Sequence, residues 1–432
     1  MAELADFDVI VVGAGPAGSV ASYLLAKRGY TVLTVERGKR PGAKNMFGGR
    51  LYSWSLERIF PEFWKEAPVE REVTKEVLGF LHGDRGVEIR LCTKPEGRSF
   101  TLLRAKFDQW LAEKAEDAGA EVISGFKVEE PLIRDGRVVG IVAEGDEEMG
   151  AEVVIAADGA LSFMAEKAGL RPKLSKEDFA VGAKEVIELP KEVIEDRFGL
   201  SQEEGAAQLY VGDLTEGVIG GGFIYTNKES VSLGVVMRIG SLASKVSEVS
   251  TAMWEITEKF KSHPMIRRYL EGGKLVEYSA HIIPETQFMR GVKLYTDGMV
   301  VVGDAAGFCI NYGVTVRGMD FAIESARAAA EAVHHALESG DTSARSLSRY
   351  QEILSKGMLR EFETAKKAVD LMEDERLYSS IPRMAVKTLE HLFLVDGKPK
   401  ENLYSFLRKE LSDEGISLLS ALLLGWKALR SM

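Results

Sequence analysis

The amino-acid sequence predicts an α/β fold in which a domain of parallel strands and helices is combined with a strand-rich domain and a helical C-terminal region. Three observations support this prediction. An apolar strand pattern, a glycine-rich loop and a helix pattern follow one another over residues 7 to 26. Strand-like sequence extends from Ala180 to Val236, and from about residue 346 onward the pattern is helical.

Composition and charge narrow the class of protein. The 432 residues, 45% of them hydrophobic, can bury a large core and predict two or three domains. The net charge of -11 argues against a nucleic-acid partner, because binding to phosphates needs a basic surface. Cys92 and Cys309 are the only cysteines, which excludes a disulfide framework, a four-thiolate zinc site and an internal iron-sulfur cluster. We therefore expect no metal site in this chain.

Two apolar stretches raise the question of a membrane. Val9–Ala26 is uncharged, but its three glycines and its proline fall where a strand would turn into a helix, and acidic residues precede it. Ile416–Trp426, "ISLLSALLLGW", is too short to span the hydrocarbon core, which takes roughly 20 apolar residues. Two interpretations of this second stretch remain open: a helix lying in the membrane interface, and a core helix that faces its own protein.

The glycine-rich loop carries the strongest local signal. Phe7–Val12 is predicted to be a buried strand, and "GAGPAG" places Gly13, Gly15 and Gly18 in the G-x-G-x-x-G spacing. The first glycine permits the tight turn, the second lets a pyrophosphate approach the backbone, and the third lets helix and strand pack closely. The next strand, "YTVLTVERG", ends in Glu36, where an acid that binds ribose is expected. A simple glycine turn would not explain Glu36, so we predict dinucleotide binding.

Two later turns favour FAD over NAD. Asp158–Gly159 follows the strand "EVVIAA", and Gly303–Asp304 follows "GMVVVG". Because FAD is long, a distant strand-turn-helix unit can hold its flavin end, with Asp304 accepting hydrogen bonds from ribityl hydroxyls. Gly313 and Val314 are expected to present backbone amides to the flavin at the start of a helix beginning near Val314. The "GDAAG" motif alone is also compatible with a surface turn.

Taken together, the motifs resemble a known family. The combination of "GAGPAG", "ERG", "GAKNMFGGRLYSWSLE", "LLRAKFDQWLAEKAEDAGAEV", "AADGALS", "GGGFIYTNKESVSLGVV", "YSAHIIPE" and "VVGDAAGFCINYGVTVRGMD" is similar to the FixC (EtfC) type of electron transfer flavoprotein-quinone oxidoreductase. The resemblance extends from about Phe7 nearly to the last residue. It is more specific than the glycine loop, which hydroxylases and geranylgeranyl reductases share.

The resemblance implies a glutathione-reductase-type FAD fold that passes electrons to a membrane quinone, menaquinone or ubiquinone. The FAD contacts that it implies, together with those from the glycine motifs, are Gly13, Ala14, Gly15, Ala17, Gly18, Glu36, Arg37, Arg104, the backbone of Val128, Asp158, Gly159, Gly303, Asp304, Gly313 and Val314. Four further residues would lie over the flavin: Phe47, Gly48, Gly49 and Arg50.

The resemblance also implies partners and a location. Larger members of this family carry a fused cysteine-rich domain that binds an iron-sulfur cluster. Such a cluster needs four ligands, and the two cysteines of this chain cannot supply them. We therefore expect a separate ferredoxin-like iron-sulfur subunit, together with a two-subunit electron transfer flavoprotein. Such an assembly suggests flavin-based electron bifurcation, in which the quinone takes the exergonic branch. The expected location is cytoplasmic, on the inner face of the cell membrane as a peripheral protein.

The predicted domains are interleaved along the chain. Residues 1–75, 98–170 and 278–345 are expected to form the FAD-binding domain, and residues 76–97 and 171–277 a strand-rich quinone or substrate domain. Residues 346–432 would form a helical region for membrane and partner docking. Within the strand-rich domain, "GGGFIYTNKESVSLGVV" predicts a hairpin that turns at Thr226–Glu229. Its glycines run on into a strand, so we expect no nicotinamide site there.

Quinone reduction needs protons, and three residues are candidates for the proton route: Tyr225, His281 and Glu285. Each has a plain alternative, namely hairpin packing for the tyrosine, a structural hydrogen bond for the histidine and a surface or capping position for the glutamate. Two other functions also remain open. The chain is compatible with a geranylgeranyl-reductase-like or hydroxylase-like flavoenzyme acting on a lipid or aromatic substrate, and with a flavin-containing scaffold that holds partners without turnover.

Overall fold

The computed structural model describes residues 5–43, 49–92, 97–245, 252–286, 288–313 and 315–431. Three residues of the predicted site, Phe47, Gly48 and Val314, lie outside the described residues. The strands are β1 (Phe7–Val12), β2 (Val32–Glu36), β3 (Arg50–Tyr52), β4 (Val69–His82), β5 (Arg85–Cys92), β6 (Ser99–Leu102), β7 (Glu121–Ser124), β8 (Val128–Arg134), β9 (Arg137–Ala143), β10 (Glu147–Ala156), β11 (Phe179–Glu188), β12 (Glu204–Gly212), β13 (Gly220–Thr226), β14 (Ser230–Arg238), β15 (Lys274–Pro284), β16 (Tyr295–Thr296), β17 (Met299–Val301), β18 (Ile310–Asn311) and β19 (Val316–Arg317). The helices are α1 (Pro16–Ala26), α2 (Arg104–Asp117), α3 (Phe163–Lys167), α4 (Lys191–Phe198), α5 (Ile239–Ser244), α6 (Met253–Ser262), α7 (Pro264–Leu270), α8 (Met319–Ser339), α9 (Ala344–Leu347), α10 (Arg349–Ser355), α11 (Met358–Met372), α12 (Ser380–Phe393), α13 (Leu403–Asp413) and α14 (Leu418–Ser431).

The N-terminal sheet, here called the parallel sheet, has the strand order β16-β17-β10-β1-β2-β7. β1 pairs in parallel with β10 on one side and with β2 on the other, while β8 and β9 extend β10 as an antiparallel meander. The last four residues of β1, Val9 to Val12, are buried, as expected for a parallel strand covered on both faces. The strands predicted around the glycine loop are therefore confirmed.

The second sheet, here called the mixed sheet, has the strand order β15-β11-β14-β13-β12-β4-β6-β3, with β5 paired to β4. β13 and β14 form the predicted hairpin, joined by residues 227–229. Its three glycines are needed for packing, because a Cβ on Gly222 would approach the ring of Phe260 to 2.7 Å and one on Gly221 the Tyr210 carbonyl to 2.6 Å. The second glycine cluster thus serves close packing within the sheet.

The predicted helical region after residue 346 is confirmed. α11 packs against α14, and two hydrogen bonds hold α14 in place. Arg376 Nη1, from the segment that follows α11, donates to Ser420 Oγ at 2.7 Å, and Lys427 Nζ of α14 donates to the Asp370 carbonyl of α11 at 2.6 Å. Among the described helices, none combines the length and hydrophobicity that crossing a bilayer requires.

The start of α8 differs from the sequence prediction. The helix begins at Met319, not near residue 314, because β18 (Ile310–Asn311) and β19 (Val316–Arg317) pair as short antiparallel strands before it. The Tyr312 N–H donates to the Thr315 carbonyl at 2.9 Å, and Gly313 has a φ of +80°, in the left-handed region that glycine tolerates. A closed turn with a residue in this conformation cannot be the first turn of an α-helix.

Candidate functional site

A cavity of about 630 Å³ is lined by residues of both large sheets and of the C-terminal region. Most described residues of the predicted site lie in its wall: Gly13, Gly15, Ala17, Glu36, Arg37, Arg50, Arg104, Val128, Asp158, Gly159, Tyr225, His281, Glu285, Gly303, Asp304 and Gly313. The fold therefore brings into one cavity residues that are up to 300 positions apart in the sequence, Gly13 and Gly313. Ala14, Gly18 and Gly49 are buried and are not among the residues of this wall.

The glycine loop leaves room for a ligand only on the cavity side. A Cβ on Gly13 would approach the Ala157 carbonyl to 2.4 Å, and one on Gly18 would lie 1.8 Å from the Gly13 carbonyl oxygen. A Cβ on Gly15, in contrast, meets no atom within 4 Å. Pro16 then opens α1, and Gly15, Pro16 and Ala17 at its N-terminus all line the cavity. The loop has the shape that a pyrophosphate at a helix N-terminus requires.

Glu36 connects this loop to the end of β2. Its Oε2 accepts a hydrogen bond from the Ala14 N–H at 3.1 Å, and its Oε1 accepts one from the Gly38 N–H at 2.6 Å. The carboxylate also lines the cavity, where a ribose hydroxyl would meet it. Nearby, Arg104 forms a buried, two-pronged ion pair with Asp108 at 2.8 and 2.7 Å, which fixes the start of α2 against the cavity.

Two half-buried aspartates line the cavity just after the ends of parallel strands. Asp158 Oδ2 accepts a hydrogen bond from the Met164 N–H at 3.2 Å, whereas its buried Oδ1 has no partner among the described residues. Asp304 follows β17, and burial raises its pKa while the Arg104 charge opposes that shift. FAD offers hydroxyl and amine donors along its length, so an acceptor left without a donor in the wall fits this cofactor.

Gly313 lies in the cavity wall, but its amide is already engaged. Its N–H donates to Asn311 Oδ1 at 2.8 Å, and the residue lies in the β18–β19 turn instead of at a helix N-terminus. The flavin-facing helix dipole predicted at this position is therefore absent from the described structure, because α8 starts six residues after Gly313. The turn itself still borders the cavity.

The predicted flavin-facing segment is anchored by an arginine and aromatic rings. Arg50 Nη1 donates to Glu76 Oε2 at 2.9 Å, and its guanidinium lies 4.6 Å from the ring centre of Tyr52. Gly49 lies against Tyr225, since a Cβ there would approach the tyrosine ring to 3.2 Å. Burial raises the pKa of Tyr225 above its ordinary value, so this phenol keeps its proton.

His281 and Glu285 have environments that shift their pKa values in opposite directions. Burial, followed by the charges of Arg104 and Arg37, lowers the pKa of His281 to about 4. The imidazole is therefore neutral near pH 7, and its buried Nε2 has no partner among the described residues. Burial raises the pKa of Glu285, opposed by Arg238, so Glu285 is the better proton donor of the two.

The far wall of the cavity contains residues that the sequence did not predict. Arg238 comes from the end of β14, and Met372 and Tyr378 come from the C-terminal helical region. None of them belongs to a local motif, and they reach the cavity only because the C-terminal segment packs across the mixed sheet. No pattern in the sequence alone signals this arrangement.

A parallel sheet with a glycine-rich loop at a helix N-terminus, an acid at the end of the second strand and two cavity-lining aspartates is typical of a FAD-dependent oxidoreductase. The comparisons agree. Residues 6–190 match the family described as FAD binding domain, and residues 179–283 match the family described as ETF-QO, ubiquinone-binding. The chain is 45% identical to protein FixC of Escherichia coli over 413 residues, which cover 95% of this chain and 94% of FixC. It belongs to the FixC family of flavoprotein oxidoreductases, as the sequence resemblance predicted.

Two further Escherichia coli proteins share this relationship. "Probable electron transfer flavoprotein-quinone oxidoreductase YdiS" is 46% identical over 400 residues, covering 91% of this chain and 92% of YdiS. "Probable electron transfer flavoprotein-quinone oxidoreductase YgcN" is 40% identical over 327 residues, covering 76% of each chain.

Solved structures confirm the fold class. A geranylgeranyl bacteriochlorophyll reductase-like protein from Thermoplasma acidophilum superposes with a TM-score of 0.70 at 21% identity, covering 94% of this chain and 98% of the other. The halogenase PltM superposes with a TM-score of 0.65 at 16% identity, covering 95% of this chain and 84% of PltM. At these identities the likeness concerns the fold alone.

Proposed function

We propose that this protein uses bound FAD to pass electrons from an electron transfer flavoprotein to a membrane quinone. The observation that carries the proposal is that one cavity is lined both by the residues proposed to bind FAD and by residues of the mixed sheet. Strands β11 to β14 of the mixed sheet, and most of β15, lie within the ubiquinone-binding match. A cofactor and a substrate bound on opposite walls of one cavity can exchange electrons directly.

The reaction adds two electrons and two protons to a quinone and yields a hydroquinone. Bound FAD supplies the ability to take up electrons singly or in pairs. The residues proposed to hold it are those of the cavity wall described above, with Gly15 and the α1 N-terminus at the pyrophosphate, Glu36 and Arg37 at the adenosine, and Asp304 at the ribityl chain. The protein's own task is then to orient the two molecules and deliver protons.

For the protons we propose Glu285 as the donor. Its carboxyl faces the cavity, and burial favours its protonated form. After giving its proton to a quinone oxygen, the carboxylate regains one from solvent. Tyr225 and His281 line the same cavity, and we propose that they orient the bound molecules by hydrogen bonding, because their shifted pKa values keep both of them neutral.

We propose that the C-terminal helical region contacts the inner face of the membrane. Leu419, Leu422, Leu423 and Trp426 of α14 expose more than half of their side chains, and Phe393–Val395 at the end of α12 are similarly exposed. A helix with such a face gains free energy by lying in the interfacial region of a bilayer. This surface would bring the cavity close to a quinone dissolved in the lipid.

The finer parts of the proposal concern assembly and domain organisation. A two-subunit electron transfer flavoprotein and a ferredoxin-like iron-sulfur subunit would be the partners, with the quinone in the exergonic branch of a bifurcating complex. The two cysteines of the chain support a cluster on a separate subunit. We also propose the interleaved FAD-binding and strand-rich domains, with the boundaries predicted from the sequence, as the functional units.

The test is reoxidation of the reduced flavin in the absence of oxygen. The purified holoprotein, with any partners that co-elute, is reduced chemically and mixed with a soluble menaquinone analogue while flavin absorbance is followed. Fast reoxidation, slowed at least tenfold by Glu285→Gln, supports the proposal. If an unsaturated polyprenyl lipid reoxidises the flavin and quinones do not, the protein belongs to the geranylgeranyl-reductase class. If the reduced FAD reacts with neither, the protein is a flavin-containing scaffold without turnover.

A further inference from the structure

We propose that Arg238 donates a hydrogen bond from Nε to a carbonyl oxygen of the quinone and so fixes the head group in the cavity. This inference rests on the proposed function and adds to it the residue that recognises the substrate. Arg238 is the last residue of β14, where the strand reaches the far wall of the cavity.

The guanidinium of Arg238 is held from one side only. Its Nη2 donates to Glu373 Oε1 at 3.2 Å, and only 11% of the side chain is exposed. Its Nε is buried and has no acceptor among the described residues. Buried donors are almost always paired in folded proteins, and a guanidinium cannot lose its charge to avoid the cost. An unpaired donor in a cavity wall therefore indicates an acceptor that the ligand supplies.

Neighbouring residues place Arg238 at the flavin end of the cavity. Its partner Glu373 directly follows Met372 in the sequence. The Met372 side chain lies against the turn at Gly313, because a Cβ added to Gly313 would be 2.5 Å from Met372 Cε. Gly313 is one of the residues expected beside the flavin ring system. A head group held by Arg238 would thus lie near the reacting part of the cofactor and away from the adenosine site at Glu36.

The chemistry of the remaining wall suits a quinone carbonyl. Arg238 and the Glu285 carboxyl both border the cavity and influence each other electrostatically, yet among the described residues they form no ion pair, so space between them is left to the ligand. The Tyr378 hydroxyl already donates a hydrogen bond to the Met372 carbonyl at 3.1 Å. A permanent positive charge stabilises the negative charge that grows on a carbonyl oxygen as electrons arrive.

If Arg238 served only to stabilise the fold, the position of its Nε would remain unexplained. A single ion pair to the exposed Glu373 contributes little to stability, and it does not require Nε to be buried at a cavity. Arg383 provides a matched comparison. It also pairs with one glutamate, Glu414, at 2.9 Å and has a buried Nε without a partner among the described residues, but it is absent from the cavity wall.

The experiment measures binding of a redox-inert quinone-site probe, a 2-alkyl-4-hydroxyquinoline N-oxide, to the oxidised holoprotein through flavin fluorescence. For Arg238→Met we expect FAD content and visible spectrum to be unchanged and the probe Kd to rise about 10- to 100-fold, the range for a lost hydrogen bond to a charged group. Arg238→Lys keeps the charge but lacks Nε, and we expect a smaller rise. Arg383→Met should leave the Kd within about twofold of the unmodified protein.

Each outcome decides the proposal. An unchanged Kd in Arg238→Met with FAD bound would overturn the assignment of Arg238 while leaving quinone reduction intact. If Arg238→Met loses FAD, Arg238→Lys carries the test, and an unchanged Kd there overturns the role of Nε. If the unmodified holoprotein binds neither the probe nor any quinone, the proposed function itself has failed, and the role of Arg238 fails with it.

Discussion

The Glu36 carboxylate accepts a hydrogen bond from the Ala14 amide at 3.1 Å, and this contact joins the end of β2 to the glycine loop. One acidic side chain therefore both shapes the loop proposed to hold the pyrophosphate and borders the space proposed for the ribose. Loss of the carboxylate should affect FAD binding through both contacts.

For Glu36→Gln we expect the Kd for FAD to rise about 10- to 100-fold, because charge-assisted hydrogen bonds contribute about 1.5–3 kcal/mol each. The measurement is titration of the apoprotein with FAD, followed by quenching of flavin fluorescence. Glu116→Gln, at an exposed position on α2, serves as the control and should bind FAD normally. Equal affinities for all three proteins would show that Glu36 has only a structural role.

Two glycines of the loop should fail in different ways when replaced by alanine. In Gly18→Ala the new Cβ meets the Gly13 carbonyl, so we expect the melting temperature of the apoprotein to fall, at a cost of about 1–3 kcal/mol. In Gly15→Ala the Cβ meets open space, so apoprotein stability should stay within about 0.5 kcal/mol while FAD affinity falls. Calorimetry of the apoproteins and FAD titration separate the two effects, and identical behaviour of both variants would contradict this division.

The low pKa of His281 predicts a pH effect on stability. The imidazole is neutral in the folded protein until the pH approaches 4, whereas in the unfolded chain it gains a proton near its ordinary pKa of 6.5. Protonation of the unfolded state thus destabilises the fold progressively as the pH falls from about 7 towards 4, by up to about 3 kcal/mol.

His281→Asn removes this group, so the variant should gain stability relative to the unmodified protein as the pH falls. The measurement is urea unfolding of both proteins at pH 7.5 and pH 5. His335→Asn, on the far part of α8, provides a histidine control outside the cavity wall. A stability difference that stays constant with pH would contradict the lowered pKa.

The apolar face of α14 should control membrane association. For the double substitution Leu422→Glu and Leu423→Glu we expect at least a tenfold loss of binding to vesicles of phosphatidylethanolamine and phosphatidylglycerol, since each buried leucine contributes about 1.5–3 kcal/mol. Cosedimentation with vesicles measures the partition. Ile133→Glu, at an exposed apolar position on β8, is the control and should bind as before. Unchanged binding of the double variant would place the membrane contact elsewhere.

Much of the site could be predicted because its signals are local. Strand, loop and helix at Phe7–Ala26 are neighbours in sequence and in space, so the glycine spacing alone describes the geometry. Glu36 could be predicted for the same reason. The buried ends of β10 and β17 could also be predicted, because each strand ends in an apolar run that is soon followed by an aspartate.

The missed features depend on contacts between distant segments. The start of α8 is set by the turn at Gly313, which the helix-like composition of the following residues concealed. Arg238 and Tyr378 are 140 positions apart and meet only because the C-terminal helices pack across the mixed sheet. Neither residue has a periodicity or spacing that marks it as part of a site.

The hydrogen bonds that join α14 to α11 and to the segment after α11 also have a consequence for biosynthesis. A ribosome makes the glycine loop first and the far wall, Met372 to Tyr378, more than 350 residues later. The nascent chain can therefore form its cofactor-binding half while the opposite side is still open, and the last helices then close the cavity. The order of synthesis therefore completes the far wall only after the residues proposed to hold FAD, up to Gly313, have been made.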